Sequence, residues 1–574
     1  MAKREGGTRR RQHQTHTGKA DRCSVPGYCR HISTSEWHAA LLAVIQDLKS
    51  KMVGGGEMKN QDGFGSRAQD ACSRRTFLRR AATTAAGLTI VPRHVLGGAG
   101  YVPPSDKVNV AFIGTGSQGL RVMIHFLREP DVQAVAVCDP NQQSADYAQW
   151  SAHEFRDAVR KLLGTSTGWD WLSPEDPPIQ LTHSLRVTSG TAGRDPCQKI
   201  VDAYYGTQKR SGEYHGCAAY RDFRELLEKE KDVDAVVVGT TDNLHAAVSA
   251  TAMRKGKHVF CQKPMTHTLY EARCMAEIAR ETRVATQVAV NNQASEWTRL
   301  LCEWIWDGAI GPVREAINWS SRPFWPQGIE RPKEVEPVPE GLDWDLWLGP
   351  APQRPFNHAY LPVVWRGWYD FGCGALGDMG CYSFDTIFRV LKLEAPTSVQ
   401  ASSTARYDET FPLASIVYFN FPARGDLAPV RLTWYDGGLT PPRPEGMAEG
   451  RPMSGEEGEG LLFIGDKGTI LCNFNGGHPT LIPDSAMKAY KQPPKTLPRS
   501  PGNEREWLDA CRGAKTKPGA NFEFSGMVTE TLQLGNIAVR TGESLTWDRS
   551  NLKITNVASA QQYIQPERRE GWAL

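Results

Sequence analysis

Lys107-Val108-Asn109-Val110-Ala111-Phe112-Ile113-Gly114-Thr115-Gly116-Ser117-Gln118-Gly119 is the stretch that decides the fold. Its first seven residues form a short apolar run, the pattern of a strand buried on both faces of a parallel sheet. The run enters a glycine turn directly, and Leu120 to Leu127 follow at helical spacing. Gly114 permits the tight turn, Gly116 lets the backbone approach a diphosphate, and Gly119 lets the helix lie close to the strand. Ser117 and Gln118 open the helix, whose free N–H groups suit phosphate. A second apolar run, Val132–Cys138, ends at Asp139, about twenty residues past Gly119, where an acid holds ribose hydroxyls. Pro140-Asn141-Gln142-Gln143 brings no arginine or lysine to receive a 2′-phosphate, so NAD is favoured over NADP.

Outward from this unit the strand–helix alternation is interrupted and then resumes. Residues 144–216 read as an insertion, with a helix over His153–Leu163 and another near Pro196–Tyr205. The pattern returns with a helix over Tyr220–Lys229 and the strand Val233–Gly239, which ends in Thr240-Thr241-Asp242-Asn243-Leu244-His245. A helix over Ala246–Lys255 and a strand over His258–Cys261 lead to Gln262-Lys263-Pro264-Met265-Thr266. Residues 105–290 are therefore expected to form a doubly wound parallel α/β domain, a Rossmann fold. Beyond it, Val313–Ser320, Ser398–Tyr407, Ala414–Phe421, Val430–Tyr435 and Leu461–Phe474 read as strands. The last contains the hairpin turn Gly465-Asp466-Lys467-Gly468, and Gly526–Arg540 reads as a late helix. Residues 291–555 are assigned to this second domain and 556–574 to a tail.

At 574 residues the chain is too long for one ordinary core. With 40% hydrophobic and 23% charged residues it has a globular composition, and no apolar run is long enough for a stable membrane span. A formal net charge of +3 argues against nucleic-acid binding by bulk charge. The 13 cysteines are scattered without paired CxxC spacing, so neither a disulfide framework nor a metal site is indicated. Residues 1–72 are polar and basic apart from a helix-like stretch near Trp37–Leu48, and read as an extension. Ser73-Arg74-Arg75-Thr76-Phe77-Leu78-Arg79 followed by the uncharged run Ala81–Val91 has the pattern of a twin-arginine export signal, assigned with its linker to 73–100. The expectation is an exported, periplasmic protein handled by the twin-arginine machinery, with translation starting at Met58 or Met52.

The glycine turn, the strand-end Thr240–His245 motif, Lys263-Pro264 and the later Gly377-Asp378-Met379-Gly380-Cys381-Tyr382-Ser383-Phe384-Asp385 occur in an order and spacing that resemble the Gfo/Idh/MocA family of sugar and cyclitol oxidoreductases. The resemblance covers roughly residues 105–555. It implies a Rossmann domain followed by an α/β domain with a large open, mostly antiparallel sheet, and a homo-oligomer, dimer or tetramer. The family's lysine motif is usually Glu-Lys-Pro, so Gln262 stands where an acid is expected. Lys263 follows a strand end, where ligands bind in open α/β sheets. Its ammonium would bond a reacting hydroxyl and the nicotinamide ribose. Thr240, Asp242 and His245 fall on the cofactor side, His245 being either close to the nicotinamide or structural. Helical spacing from Asp378 puts Tyr382 one turn on and Asp385 two turns on. Many relatives carry a histidine base where Tyr382 stands; those like glucose–fructose oxidoreductase carry tyrosine. By that resemblance Tyr382 transfers the proton, with Lys263 lowering its pKa from ~10. Asp378 would orient substrate or Lys263. Asn292, Gln293, Trp365, Arg366, Trp368 and Asp385 are the substrate-side candidates, with core packing an open alternative for the tryptophans and for Tyr382.

The function implied is hydride transfer between NAD and a ring hydroxyl of a carbohydrate or cyclitol. An exported enzyme would keep its cofactor bound and return it to the starting redox state in each cycle. A redox-neutral glycoside hydrolase working by transient oxidation and elimination is the second reading. A non-catalytic sugar-binding Rossmann protein is the third.

Overall fold

The computed structural model describes residues 106–174, 179–180, 186–208, 216–453 and 458–574. The paired-arginine motif, the extension before it and the Trp37–Leu48 stretch lie outside these residues.

β1 (Val108–Ile113) turns into α1 (Ser117–Leu127), and the chain returns along β2 (Val132–Cys138). An excursion follows: β3 (Ser144–Gln149), α2 (Glu154–Leu163), β4 (Ile179–Gln180) and β5 (Arg186–Ala192), its strands making a small antiparallel sheet. α3 (Arg194–Gln208) leads back to β6 (Ala218–Tyr220), α4 (Phe223–Lys229), β7 (Ala235–Val238), α5 (Asp242–Arg254), β8 (His258–Cys261), α6 (Leu269–Thr282) and β9 (Thr286–Val288). The sheet order β6-β2-β1-β7-β8-β9 is parallel throughout. The chain therefore builds outward from β1 on one side, then restarts at β7 on the other. A crevice opens at that reversal, over the strand ends of β1 and β7. Alternate residues of β1 serve the two faces: Val110 and Phe112 pack with Met123 and Phe126 of α1, while Ala111 and Ile113 pack with Val236 and Val238.

The structure draws the insertion differently from the sequence. Cys197, Ile200 and Val201 of α3 lie in the same core as β1 and β2, so α3 belongs to the parallel-sheet unit and the excursion closes by Gly193. Those few buried positions in an otherwise half-exposed helix are too sparse a pattern to stand out in sequence. Tyr220 is on a strand, and the helix assigned from it begins at Phe223, capped by the Asp222 carboxylate.

α7 (Glu296–Trp306) precedes β10 (Val313–Trp319), after which come α8 (Trp344–Leu348), α9 (Gly374–Leu391), β11 (Ser398–Ser403), β12 (Ser415–Phe421) and β13 (Val430–Tyr435). β14 (Gly460–Gly465), β15 (Gly468–Cys472), β16 (Thr480–Ile482), α10 (Asp484–Ala489), α11 (Asn503–Cys511), α12 (Phe522–Thr541), β17 (Leu545–Asp548) and β18 (Lys553–Ile554) complete the chain. Nine of these strands form one open sheet, antiparallel except for the β10–β13 pair. β14 and β15 make the expected hairpin about Gly465–Gly468. α9 and α12 cover one face of the sheet, burying Leu376, Phe384, Phe388, Leu532 and Leu534 against Phe419, Leu432 and Trp434. The late helix starts four residues earlier than read, at Phe522, because Asn521 caps it through the N–H groups of Glu523 and Phe524. The chain also re-enters the first domain. Trp507 and Leu508 of α11 pack on Phe126 and Phe260, and Trp572 packs on Phe223. A cut at residue 290 therefore does not separate two independent cores.

Candidate active site

The turn after β1 touches the turn after β7. Gly114 has φ +88°, and a Cβ on it would lie 2.4 Å from the backbone of Gly239 and Thr240. A Cβ on Gly119 would lie 1.9 Å from the Gly114 carbonyl oxygen, so α1 seats directly on the turn. α1 starts without a side-chain cap, which leaves its first N–H groups free to meet an anion. The middle glycine of the motif is a different case. A Cβ on Gly116 would meet the Tyr147 ring of β3 at 2.8 Å, so part of the space the sequence reserves for a diphosphate is roofed by the excursion.

Asp139 is buried and lines the crevice, but its carboxylate is already engaged. Oδ2 accepts from the Thr115 N–H at 2.6 Å and Oδ1 from the Asn141 N–H at 2.9 Å. It locks the glycine turn to the end of β2, and burial raises its pKa. Arg194, far away in sequence, donates to the Asp139 carbonyl at 2.8 Å. The absence of a cation in 140–143 therefore describes the segment and not the neighbourhood.

A cavity of about 600 Å³ runs from this loop to the second domain. Gly114, Gly116, Ser117, Gln118, Asp139, Thr240, Asp242, Gln262, Lys263, Trp365, Arg366, Asp378 and Tyr382 line it together, drawn from both domains. At its inner end the Lys263 Nζ donates to Asp378 Oδ1 at 2.8 Å and to the Asp378 carbonyl at 2.7 Å. Arg366 Nε donates to the same Oδ1 at 3.0 Å, its guanidinium stacked on Trp365. Burial works against charge on Asp378, but Lys263 and Arg366 overcome it and hold the carboxyl at about 2. Burial likewise opposes the Lys263 charge, and Asp378 reverses that, raising the ammonium above its ordinary range. Lys263 is a fixed cation.

Tyr382 is half-buried one turn beyond Asp378 on α9, with the Lys263 Nζ 5.0 Å from its ring centroid. Its hydroxyl has no hydrogen-bond partner among the described residues. The pKa expectation is overturned in sign: burial raises the Tyr382 pKa, and Lys263 offsets only part of the rise. The phenol is protonated at neutral pH, poised to give a proton or share one rather than to act as a free phenolate.

Other sequence candidates take structural places. His245 is buried beneath the wall, its ring nitrogens 2.7 Å from the Pro264 carbonyl and 3.2 Å from that of Thr240. Burial lowers its pKa to about 4, so it is a neutral tie between two turns and does not line the cavity. Asp385 is ion-paired with Arg389 at 2.8 Å on the far side of α9. Gln293 is tied to Asn503 and Glu506, and Asn292 donates to the Tyr382 carbonyl at 3.2 Å, fixing the helix behind the tyrosine. Trp368 is fully buried, its indole N–H given to the Ala359 carbonyl. Helical or strand spacing brought these residues near the motif without saying which way each points.

The sequence reading missed a wall of the cavity. Arg121, Tyr147 and Trp150 come from α1 and the excursion; Arg322, Phe324 and Trp325 come from the loop after β10. Trp150 and Phe324 meet edge to face at 5.6 Å, so the two domains touch across the mouth. The aromatic density of these segments was the only signal in the sequence.

The fit of a dinucleotide can be tested on polar atoms. Ser117 Oγ, Asp242 Oδ2 and Gln262 Nε2 are buried in the wall without a hydrogen-bond partner among the described residues. Such atoms are costly unless something completes them. Ser117 stands at the helix N-terminus, and Asp242 and Gln262 follow the ends of β7 and β8. A diphosphate at the first and the ribose and carboxamide groups of a nicotinamide half at the others would supply the missing partners.

The fold and cavity define a Rossmann protein whose appended sheet domain closes a dinucleotide crevice. Comparison with known proteins is consistent with that class. Residues 186–290 match the model described as "Oxidoreductase family, NAD-binding Rossmann fold", and residues 312–419 match "Oxidoreductase family, C-terminal alpha/beta domain". Both are models of the Gfo/Idh/MocA oxidoreductases, matched here in the order Rossmann domain, then α/β domain. A 1,5-anhydro-D-fructose reductase of Ensifer adhaerens is 30% identical over 187 residues, 32% of this chain and 44% of that protein. A glycosyl hydrolase family 109 protein of Shewanella pealeana is 24% identical over 225 residues, 37% and 38% of the two chains. These matches span less than half of either relative. Among solved structures, the WlbA dehydrogenase of Bordetella pertussis, in complex with NADH and UDP-GlcNAcA, aligns with a TM-score of 0.46 at 13% identity, over 77% of this chain and 99% of that one.

Proposed function

We propose that the protein is an NAD-dependent oxidoreductase acting on a hydroxyl of a sugar, sugar derivative or cyclitol. The observation that carries this reading is the meeting, in one cavity, of the glycine turn with the Lys263–Asp378–Arg366 group and the Tyr382 hydroxyl. NAD, when bound, supplies hydride acceptance and donation; Ser117 with the α1 N-terminus would hold its diphosphate, and Asp242 and Gln262 its nicotinamide half. Lys263, fixed as a cation by Asp378, stabilises negative charge developing on the substrate oxygen. Tyr382 hydrogen-bonds that oxygen as a relay. Its phenol gives a proton to the oxygen when a carbonyl is reduced, and in oxidation it takes the hydroxyl proton while handing its own on toward solvent or a neighbouring carboxylate. Arg366 holds Asp378 in place while Trp365 offers an apolar face beside it. The reductase match above supports a carbohydrate as the small-molecule substrate.

Retention of the cofactor through internally balanced cycles is supported by how the loop after β2 is strapped down. Asn141 and Gln142 accept from the N–H groups of Arg194 and Asp195, and Pro140 accepts from Asp343 of the second domain at 3.0 Å. Preference for NAD over NADP rests on the Asp139 carboxylate at that end. The paired-arginine motif supports export to the periplasm, and the half-buried Ile416, Tyr418 and Tyr435 on the sheet face opposite α9 and α12 support a homo-oligomer. Among the described residues no helix is long and apolar enough to cross a membrane.

The hydrolase-family match favours a second reading, in which the same groups oxidise, eliminate and re-reduce a glycoside. Incubation with aryl glycosides and with free sugars separates the two. Net formation of a keto sugar supports the oxidoreductase, and release of the aglycone with no net redox change refutes it in favour of hydrolysis.

A further inference from the structure

Asp242 lies buried in the cavity wall, and among the described residues its carboxylate has no ion-pair partner. Its residue is 1% exposed, and its Oδ2 has no hydrogen-bond partner among the described residues. Asp378, by contrast, bonds Lys263 and Arg366, and Asp139 bonds two backbone N–H groups. Asp242 opens α5 at the end of β7, on the opposite side of the glycine turn from Asp139. A dinucleotide whose diphosphate sits on the turn sends its adenosine toward β2 and its nicotinamide toward β7 and β8. The nicotinamide side is thus the side of Asp242, Gln262 and Lys263. Gln262, standing where the family resemblance places an acid, leaves Asp242 to supply the negative charge there.

We infer that Asp242 is a proton store matched to the charge of the bound nicotinamide: it is ionised beside the cationic oxidised ring and protonated beside the neutral reduced ring. The proposal rests on the dinucleotide reading and extends it to a residue whose role the resemblance leaves as contact alone.

The surrounding charges support a change at this position and no other. Lys263 and Arg366 are fixed cations and Asp378 a fixed anion, which leaves one net positive charge when Asp242 is neutral and none when it is ionised. Burial pushes the Asp242 carboxyl up to about 7, with Arg366 and Lys263 pulling down and Asp378 pushing up. Every other titratable group facing it is held far from neutrality: His245 on its own helix is low, the neighbouring Cys373 thiol is high, and so are Cys261 of β8 and Cys381 and Tyr382 of α9. In alcohol oxidation the substrate carbon loses hydride to the ring and its hydroxyl loses a proton. Uptake of that proton by Asp242 carboxylate leaves ketone, reduced cofactor and Asp242 carboxylic acid, so atoms and charge balance within the closed site. A store of this kind suits an enzyme that runs both directions on one retained cofactor.

The test is a proton count and does not depend on turnover. The full chain, freed of retained nucleotide, is titrated calorimetrically near pH 7 with oxidised NAD and separately with NADH, in buffers of different ionisation enthalpy. The two ligands share the same diphosphate, so their difference isolates the ring. The wild-type protein is expected to release more protons with NAD than with NADH, the difference approaching one per site, and Asp242→Asn is expected to abolish it. Equal counts for the two ligands in the wild-type protein overturn the proposal, whether or not the variant folds. A difference that survives in Asp242→Asn also overturns it. If neither ligand binds, the dinucleotide reading itself fails, which is a distinguishable result.

Discussion

Tyr382→Phe separates chemistry from packing at the centre of the site. The ring of Tyr382 packs at the junction of both large cores, while its hydroxyl bonds no described residue. Phenylalanine keeps the ring and the Lys263 cation–π contact and forfeits no internal hydrogen bond. The expected change in stability is therefore within about 0.5 kcal/mol, the range of substitutions that break no buried contact. The expected change in turnover is roughly 10²- to 10⁴-fold, the usual worth of a positioned proton donor, or ~3–5 kcal/mol on the barrier. Nucleotide affinity should stay at the wild-type level, because the hydroxyl faces substrate. The assays are a thermal melt, nucleotide titration by nicotinamide fluorescence, and turnover on the substrate found by the sugar screen. Near-normal turnover in Tyr382→Phe refutes the assignment, and Tyr382 is then a packed aromatic.

Three further outcomes are expected. Gly119→Ala places a Cβ 1.9 Å from the Gly114 carbonyl oxygen, a backbone atom that cannot rotate away, so the variant should lose nucleotide binding and melt well below wild type; a wild-type melt with intact binding would show that α1 does not seat on the turn. Asp378→Asn removes the anion that raises the Lys263 pKa, so the basic limb of the pH–rate profile should move to lower pH, and an unmoved limb would mean that Lys263 does not control it. Asp242 has a folded pKa of about 7 against an ordinary 3.8, so its contribution to stability is present below pH 4 and is lost as pH rises to about 7. Asp242→Asn escapes that loss, worth up to ~4 kcal/mol on the same gap, and denaturant melts should show the variant gaining on wild type between these pH values; parallel curves would contradict the burial argument.

The parallel-sheet domain was legible because its signals are local. An apolar run, a glycine turn and a helical run are contiguous in sequence, and Gly114 and Gly119 do in the structure what their spacing implies. The Lys263–Asp378 pair was legible only through motif resemblance, since its partners are far apart in the chain and meet through the packing of α9 on the end of β8. Direction was not legible. Tyr382, Asp385 and Trp368 come from one stretch, yet one faces the cavity, one an arginine behind the helix and one a buried aromatic cluster. Spacing fixes which residues share a face, and tertiary packing decides what that face meets. The sign of the Tyr382 shift failed for a related reason: a neighbouring lysine can be read from sequence, whereas the desolvation that outweighs it depends on both domains closing over the ring. The excursion's part in the site, Tyr147 over Gly116 and Trp150 against Phe324, was hidden because an insertion carries no periodic pattern to say where it folds back.

The central claim is that the crevice between the glycine turn and Lys263 holds a nicotinamide dinucleotide. The most direct measurement is mass spectrometry of small molecules released when the natively purified protein is denatured. The account predicts NAD or NADH at about one per chain. Release of no nucleotide, together with no uptake of either form when supplied in excess, would contradict it.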